Sequence, residues 1–205
     1  MTKSLRDRID GQAREIRMSL KGPELRAADG SEGVRVEGYA AVFNQIEDMA
    51  GYFEERIAPG AFSAALSRGD DVPFLVNHRG LPLARTTSGT LELREDERGL
   101  WIGSDLDPED PDVCRIVPKM RRGDLSKMSF AFHATRTTWD ETRDVALRTI
   151  EEVELLDVAI VTTPGYAGTE IALRGLDLAG LSAGREASRR EHVAAMRRRG
   201  RLSGL

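Results

Sequence analysis

One cysteine in 205 residues, Cys114, rules out an internal disulfide and fits a reducing compartment; the thiol is expected to be buried and inert. Long apolar runs are missing too. No stretch approaches the roughly 18 to 20 residues of a membrane span, and the first twenty residues (MTKSLRDRIDGQAREIRMSL) lack the apolar centre of a signal peptide. The protein is therefore expected to act where it is made, or to be carried elsewhere by a partner. There is no Walker loop and no HExxH, which removes the main supports for nucleotide and zinc chemistry. The acidic stretch 105–112 (DLDPEDPD) lacks the glycine and terminal glutamate of a calcium loop, since Asp110 and Ile116 stand at those positions; it reads as a solvated loop and helix cap. No internal repeat and no low-complexity tract is present.

What is present describes an ordinary globular chain, with 40% hydrophobic residues, 31% charged residues and a net charge of −4. The length suits one core of about 150 residues plus tails. Residues 185–205 hold seven arginines against two glutamates, so this tail carries +5 and the remainder −9. These arginines alone would support nucleic-acid binding, which would be steeply salt-dependent. Nucleic acid is not an expected partner.

The apolar patterning predicts strands at 34–43 (VRVEGYAAVF) and 72–77, a hairpin from 91–94 to 100–105 around the charged turn 95–99 (EDERG), and a second hairpin from 128–138 into 147–161. Residues 58–67 read as a short helix opened by a proline. Asp107 and Pro108 supply a cap and first position for an amphipathic helix carrying Val113, Ile116, Val117 and Met120, bent near Pro118 and ended by Gly123. Strands outnumber helices and βαβ alternation is absent. The expected fold is mainly β with helices (α+β), a mostly antiparallel, barrel-like sheet. Residues 1–33 read as a charged arm, 34–175 as the domain and 176–205 as a basic tail.

Three stretches bring chemistry to strand ends: 72–78 (VPFLVNH), 127–132 (KMSFAF) and 152–161 (EVELLDVAIV). A serine, a histidine and a carboxylate on one sheet suggest a serine hydrolase, because a hydroxyl becomes nucleophilic only when an oriented imidazole takes its proton. Of the three histidines, His133 lies on the strand of Ser129 about 13 Å away, too far for a hydrogen bond. His192 sits among arginines without an apolar wall. His78 remains, where a strand meets a turn before Arg79 and Gly80. Ser129 alternates with Met128 and Phe130 and shares a face with Ala131 and His133, whereas Ser126 suits a turn cap. For the acid, alternation groups Val153, Leu155, Asp157, Ala159 and Val161, so Asp157 is a lone carboxylate on an apolar face and is expected to point inward toward His78. Glu154, beside Glu151 and Glu152, is the alternative, and a bulge between 151 and 157 would exchange the faces.

These residues occur within an ordered set of motifs: GYAAVF at 38–43, ERIAPGAF at 55–62, the VNH ending at His78, KMSFAF at 127–132 and LLDVAIVTTPGYAGT at 155–169. With them the chain resembles the tailed-phage (caudovirus) prohead serine proteases, capsid-maturation enzymes related to the herpesvirus assemblins, over residues 34–174. The resemblance implies that His78 is the general base and Ser129 the nucleophile of an acyl-enzyme mechanism, with no metal or organic cofactor. It implies as partners the scaffolding region of a major capsid protein or a separate scaffold protein, cleaved inside the assembling prohead in the host bacterial cytoplasm, and self-association as in assemblin-like enzymes. Prophages and gene transfer agents carry relatives. A non-catalytic capsid-assembly or scaffold-binding protein of the same fold is the alternative.

Overall fold

The computed structural model describes residues 6, 9–10, 14–19, 24–27, 33–49 and 51–162. Within them run β1 (Glu15–Ser19), β2 (Glu24–Ala27), β3 (Val34–Val42), β4 (Glu47–Asp48), β5 (Glu54–Ile57), α1 (Ser63–Arg68), β6 (Pro73–Val76), β7 (Arg79–Arg85), β8 (Leu91–Glu95), β9 (Gly99–Leu106), α2 (Pro111–Arg122), β10 (Lys127–Asp140) and β11 (Leu147–Val161). The tail 176–205 and His192 lie outside the described residues, as does the TPG stop at 163–165.

The strands divide into two sheets. One is ordered β1-β10-β11-β5-β4, with β6 also paired to β11 and β7 paired to β6; the other is ordered β2-β3-β9-β8. The expected hairpins form, and the fold is mainly β with helices. Two expectations need correction. The described strands form two open sheets, with β3 packed against β1 and β10, and no closed barrel is made among them. Parallel pairing also occurs, since β5 and β6 both run parallel to β11, at residues 147–150 and 158–160. Between them the chain stays on the same edge, with Ala58 N–H donating to the Ile150 carbonyl and Val153 N–H to the Ala61 carbonyl. The α1 crossing advances the chain along β11 instead of reversing it.

The helices start later than their prolines suggest. Gly60, at φ 89°, breaks the first stretch and α1 begins only at Ser63. The second has two Asp-Pro pairs to choose from. A residue before proline is pushed out of the α region, so Asp110, extended at φ −65° and ψ 121° ahead of Pro111, forces the start past Pro108. Asp110 caps α2 by accepting from the Asp112 N–H at 2.7 Å, while Asp107 accepts from the Glu109 N–H at 2.8 Å. Val113, Ile116, Val117 and Met120 are buried as the period requires, and Gly123 closes the helix at φ 82°. Cys114 falls off that stripe and is exposed, not buried as expected, with its Sγ donating to the Pro108 carbonyl.

The core between the sheets contains Val36, Leu100 and Ile102 on one side and Met128, Phe130, Phe132, Val153, Leu155, Val158 and Ile160 on the other. Phe62 meets Phe130 edge-on at 5.4 Å between centroids, and Phe130 stacks on Phe132 at 5.0 Å. Such pairs add about 0.5–1.5 kcal/mol each beyond their burial.

Residues 15–19 belong to the stretch read as an arm, yet they are a strand of the first sheet. Charge misled the reading. Glu15 and Arg17 are buried, and with Glu55 and Arg148 they neutralise one another. Arg148, fully buried, donates to Glu15 at 2.6 and 2.9 Å, to Glu55 at 2.9 Å and to Asp10 at 3.1 Å; Arg17 donates to Glu15 at 2.7 Å and through two nitrogens to Glu55. Burial alone would push the Glu55 carboxyl up, but Arg17 and Arg148 outweigh it and hold the group below the ordinary glutamate range. Its stabilisation is therefore present above the ordinary glutamate range and is lost as pH falls through the depressed folded value. Removing one member leaves buried charge unpaired: Arg148→Met should lower the unfolding free energy by about 3–5 kcal/mol in denaturant titrations at neutral pH. A loss below about 1 kcal/mol would mean that the cluster does not hold the fold.

Candidate active site

Three elements meet on the face of the first sheet that looks away from the main core. Ser129 pairs with Met18 of β1 and Ala159 of β11, and Ala131 lies between Ile16 and Asp157, so small side chains floor this face. Leu75, Ala159 and Val161, with Met18, form its apolar patch. Ser129 itself is buried.

Asp157 reaches this face through a bulge. Ala131 pairs with Asp157 but Phe132 pairs with Leu155, so Leu156 is the extra residue. Val153 and Leu155 consequently join Val158 and Ile160 in the core, and Asp157 lies with Ala159 on the opposite face. The unbroken alternation predicted from the sequence is thus corrected, along with the shared face of Val153, Leu155 and Asp157 and the inward direction of the acid. Without the bulge, Asp157 would follow Leu155 into the core.

His78 stands on the tight turn joining β6 to β7. Val76 pairs with Arg79, leaving Asn77 and His78 as the two central residues at φ 53° and 58°, the signs that a type I′ hairpin turn requires. Asn77 tolerates this conformation and clasps the end of β11, its Oδ1 accepting from Thr162 N–H at 3.0 Å. The parallel pairing of β6 with β11 then brings the imidazole over the Ser129–Ala159 row.

The resulting contacts are continuous. His78 Nε2 is 2.7 Å from Ser129 Oγ, and His78 Nδ1 is 2.5 Å from Asp157 Oδ1. Arg14 Nη2 donates to Asp157 Oδ2 at 2.8 Å, and Ser129 Oγ is 2.8 Å from the Arg17 carbonyl oxygen. One hydroxyl proton cannot serve two acceptors. With Nδ1–H donating to Asp157, a neutral ring leaves Nε2 to accept from the hydroxyl; a protonated ring donates from Nε2 to Oγ and the hydroxyl donates to Arg17. The first arrangement is the one in which serine can be activated.

The other residues weighed from sequence lie elsewhere. Glu154 Oε2 lies 2.9 Å from His133 Nδ1, where it can accept from a ring N–H on an exposed part of the sheet, and Glu151 and Glu152 pair with Arg136. Ser126 precedes β10, and the imidazole of His78 is hydrogen-bonded to Ser129 and Asp157 instead. Sequence reading missed Arg14 and the Arg17 carbonyl. Their signal was the alternation of Ile16 and Met18 with Glu15 and Arg17, here with the apolar residues toward the site and the charges toward the core.

Comparison with known proteins gives this geometry its class. The caudovirus prohead serine protease model matches residues 22–181, and the chain belongs to that family. The prohead protease of Enterobacteria phage HK97 is 30% identical over 160 residues, which cover 76% of this chain and 66% of that protein. The structure of the bacteriophage T4 capsid assembly protease, gp21, aligns with a TM-score of 0.50 at 10% identity, over 75% of this chain and 100% of the T4 chain, a likeness of fold. The family match contains His78, Ser129 and Asp157 and begins downstream of β1.

The turn that carries His78 can be tested by itself. Asn77→Ala should destabilise the protein by about 1 kcal/mol, because alanine resists positive φ, whereas Asn77→Gly should lose less. Denaturant titration of both variants checks this; equal losses would assign the effect to the Thr162 clasp instead.

Proposed function

We propose that the protein is a serine endopeptidase of capsid maturation, with Ser129 as nucleophile, His78 as general base and Asp157 as the orienting acid. The observation that carries this is the unbroken hydrogen-bonded chain from Ser129 through His78 to Asp157 in a member of the prohead serine protease family. His78 takes the Ser129 proton as Oγ attacks the scissile carbonyl carbon, forming a tetrahedral oxyanion. The same proton passes to the leaving amine as the C–N bond breaks. Water, deprotonated by His78, then hydrolyses the acyl-enzyme. Asp157 holds Nδ1–H and stabilises the imidazolium in both steps. No metal or organic cofactor is needed.

The substrate we infer is the scaffolding region of a major capsid protein or a separate scaffold protein, cleaved inside the assembling prohead in the host cytoplasm. The catalytic unit is residues 34–175, completed by β1 from the preceding segment, with 176–205 as a basic tail. Among the described residues no helix is long and apolar enough to cross a membrane.

Ser129→Ala and His78→Ala should each abolish processing of a co-expressed capsid or scaffold protein while the fold persists, and a fluorophosphonate probe should label Ser129 in the wild type only. Normal processing by folded Ser129→Ala would sink the proposal, and a wild type that binds scaffold but takes no label would favour the non-catalytic assembly protein.

Asp157→Asn should lower turnover by about three to four orders of magnitude, and Glu154→Gln by less than about threefold. Turnover measured on the two variants discriminates the acids: the reverse pattern would make Glu154 the orienting group.

A further inference from the structure

We propose that Arg14 is a positioning residue for the serine chemistry, holding the second carboxylate oxygen of Asp157 so that the first stays aimed at His78. This rests on the reading of Ser129, His78 and Asp157 as the catalytic set. The carboxylate torsion of an aspartate is broad, so a single hydrogen bond to His78 leaves the carboxylate plane loosely defined. The Asp157 side chain is 6% exposed, and water is largely withdrawn from both oxygens. Oδ1 faces His78 Nδ1 at 2.5 Å, and Oδ2 accepts from Arg14 Nη2 at 2.8 Å. With both oxygens held from different directions, the plane is fixed.

Arg14 reaches this position because of its neighbours. Ile16, Ala131 and Asp157 form one row across β1, β10 and β11, and the alanine methyl leaves the path from β1 to β11 open above the middle strand. Immediately after Arg14, Glu15 and Arg17 lock β1 into the buried ion cluster, so the arginine leaves a fixed backbone. The charge balance suits the chemistry. While His78 is neutral, the buried carboxylate has a cation beside it; Arg14 is 47% exposed, so water shares its charge and Asp157 remains able to stabilise an imidazolium when the proton arrives. Among the described residues Arg14 is hydrogen-bonded to Asp157 and to neither Ser129 nor His78, so it acts through Asp157. It also lies upstream of the residues that match the family model.

The test is the rate at which full-length protein reacts with a fluorophosphonate, which reports activation of Ser129 without a choice of substrate. Arg14→Met should slow labelling about tenfold, and Arg14→Lys, which restores a donor and a charge, should recover to within about threefold of wild type. In an Asp157→Asn background, Arg14→Met should add no further loss, because a residue that works only through Asp157 has nothing left to position. Circular dichroism confirms that each variant is folded; should Arg14→Met unfold, Arg14→Gln against Arg14→Lys supplies the same comparison. Unchanged labelling of Arg14→Met, or a further tenfold loss in the Asp157→Asn background, would overturn the proposal. A wild type that takes no label overturns the catalytic reading itself, so the two failures are distinct.

Discussion

Two arginines and two glutamates with almost no access to water set the terms for the rest of this structure. Arg17 and Arg148 lie between Glu15 and Glu55, contributed by β1, β5 and β11. Each of these charges would be prohibitively costly to bury alone, so the strands that carry them must come together or remain solvated. The cluster thereby makes β1 an obligatory part of the first sheet. Through β1 it fixes the two groups, Arg14 and the Arg17 carbonyl, that meet the site on the opposite face. A single short strand thus has Glu15 and Arg17 anchored in the core, while Ile16, Met18 and the Arg17 carbonyl lie toward the opposite face.

The second constraint is one surplus residue. Leu156 shifts the phase of β11 between Leu155 and Asp157, so the strand buries Val153 and Leu155 before the shift and Val158 and Ile160 after it. Both halves keep an apolar side against the core, and the acid is delivered to the other side. A regular strand could not fill the core along its whole length and also present Asp157 to His78.

Much of this was legible from the residues. The hairpins β8-β9 and β10-β11 follow from alternation and turn chemistry, and the α2 stripe from its helical period. His78, Ser129 and Asp157 became candidates because few histidines compete and Asp157 is a carboxylate in an apolar strand, but the roles expected of His78 and Ser129 came from the resemblance to the prohead proteases and not from spacing. What was illegible depended on long-range partners. The charges of Glu15 and Arg17 look solvated until Glu55 and Arg148 are beside them. The parallel pairing of β5 and β6 depends on where α1 sets the chain down. The bulge leaves no mark in LLDVAIV, so Asp157 was chosen on an alternation that the strand does not follow, and it meets His78 because the face it joins is the one carrying Ser129. The cap at Asp110 was readable from proline sterics alone, given two Asp-Pro pairs in succession.

The placement of the Ser129 hydroxyl between an imidazole nitrogen and a main-chain carbonyl gives its hydrogen two places to go. Oγ lies within hydrogen-bond reach of both at once, 2.7 and 2.8 Å away, so its hydrogen can turn from one acceptor to the other while the oxygen stays in place. The choice between the two partners needs no change of rotamer.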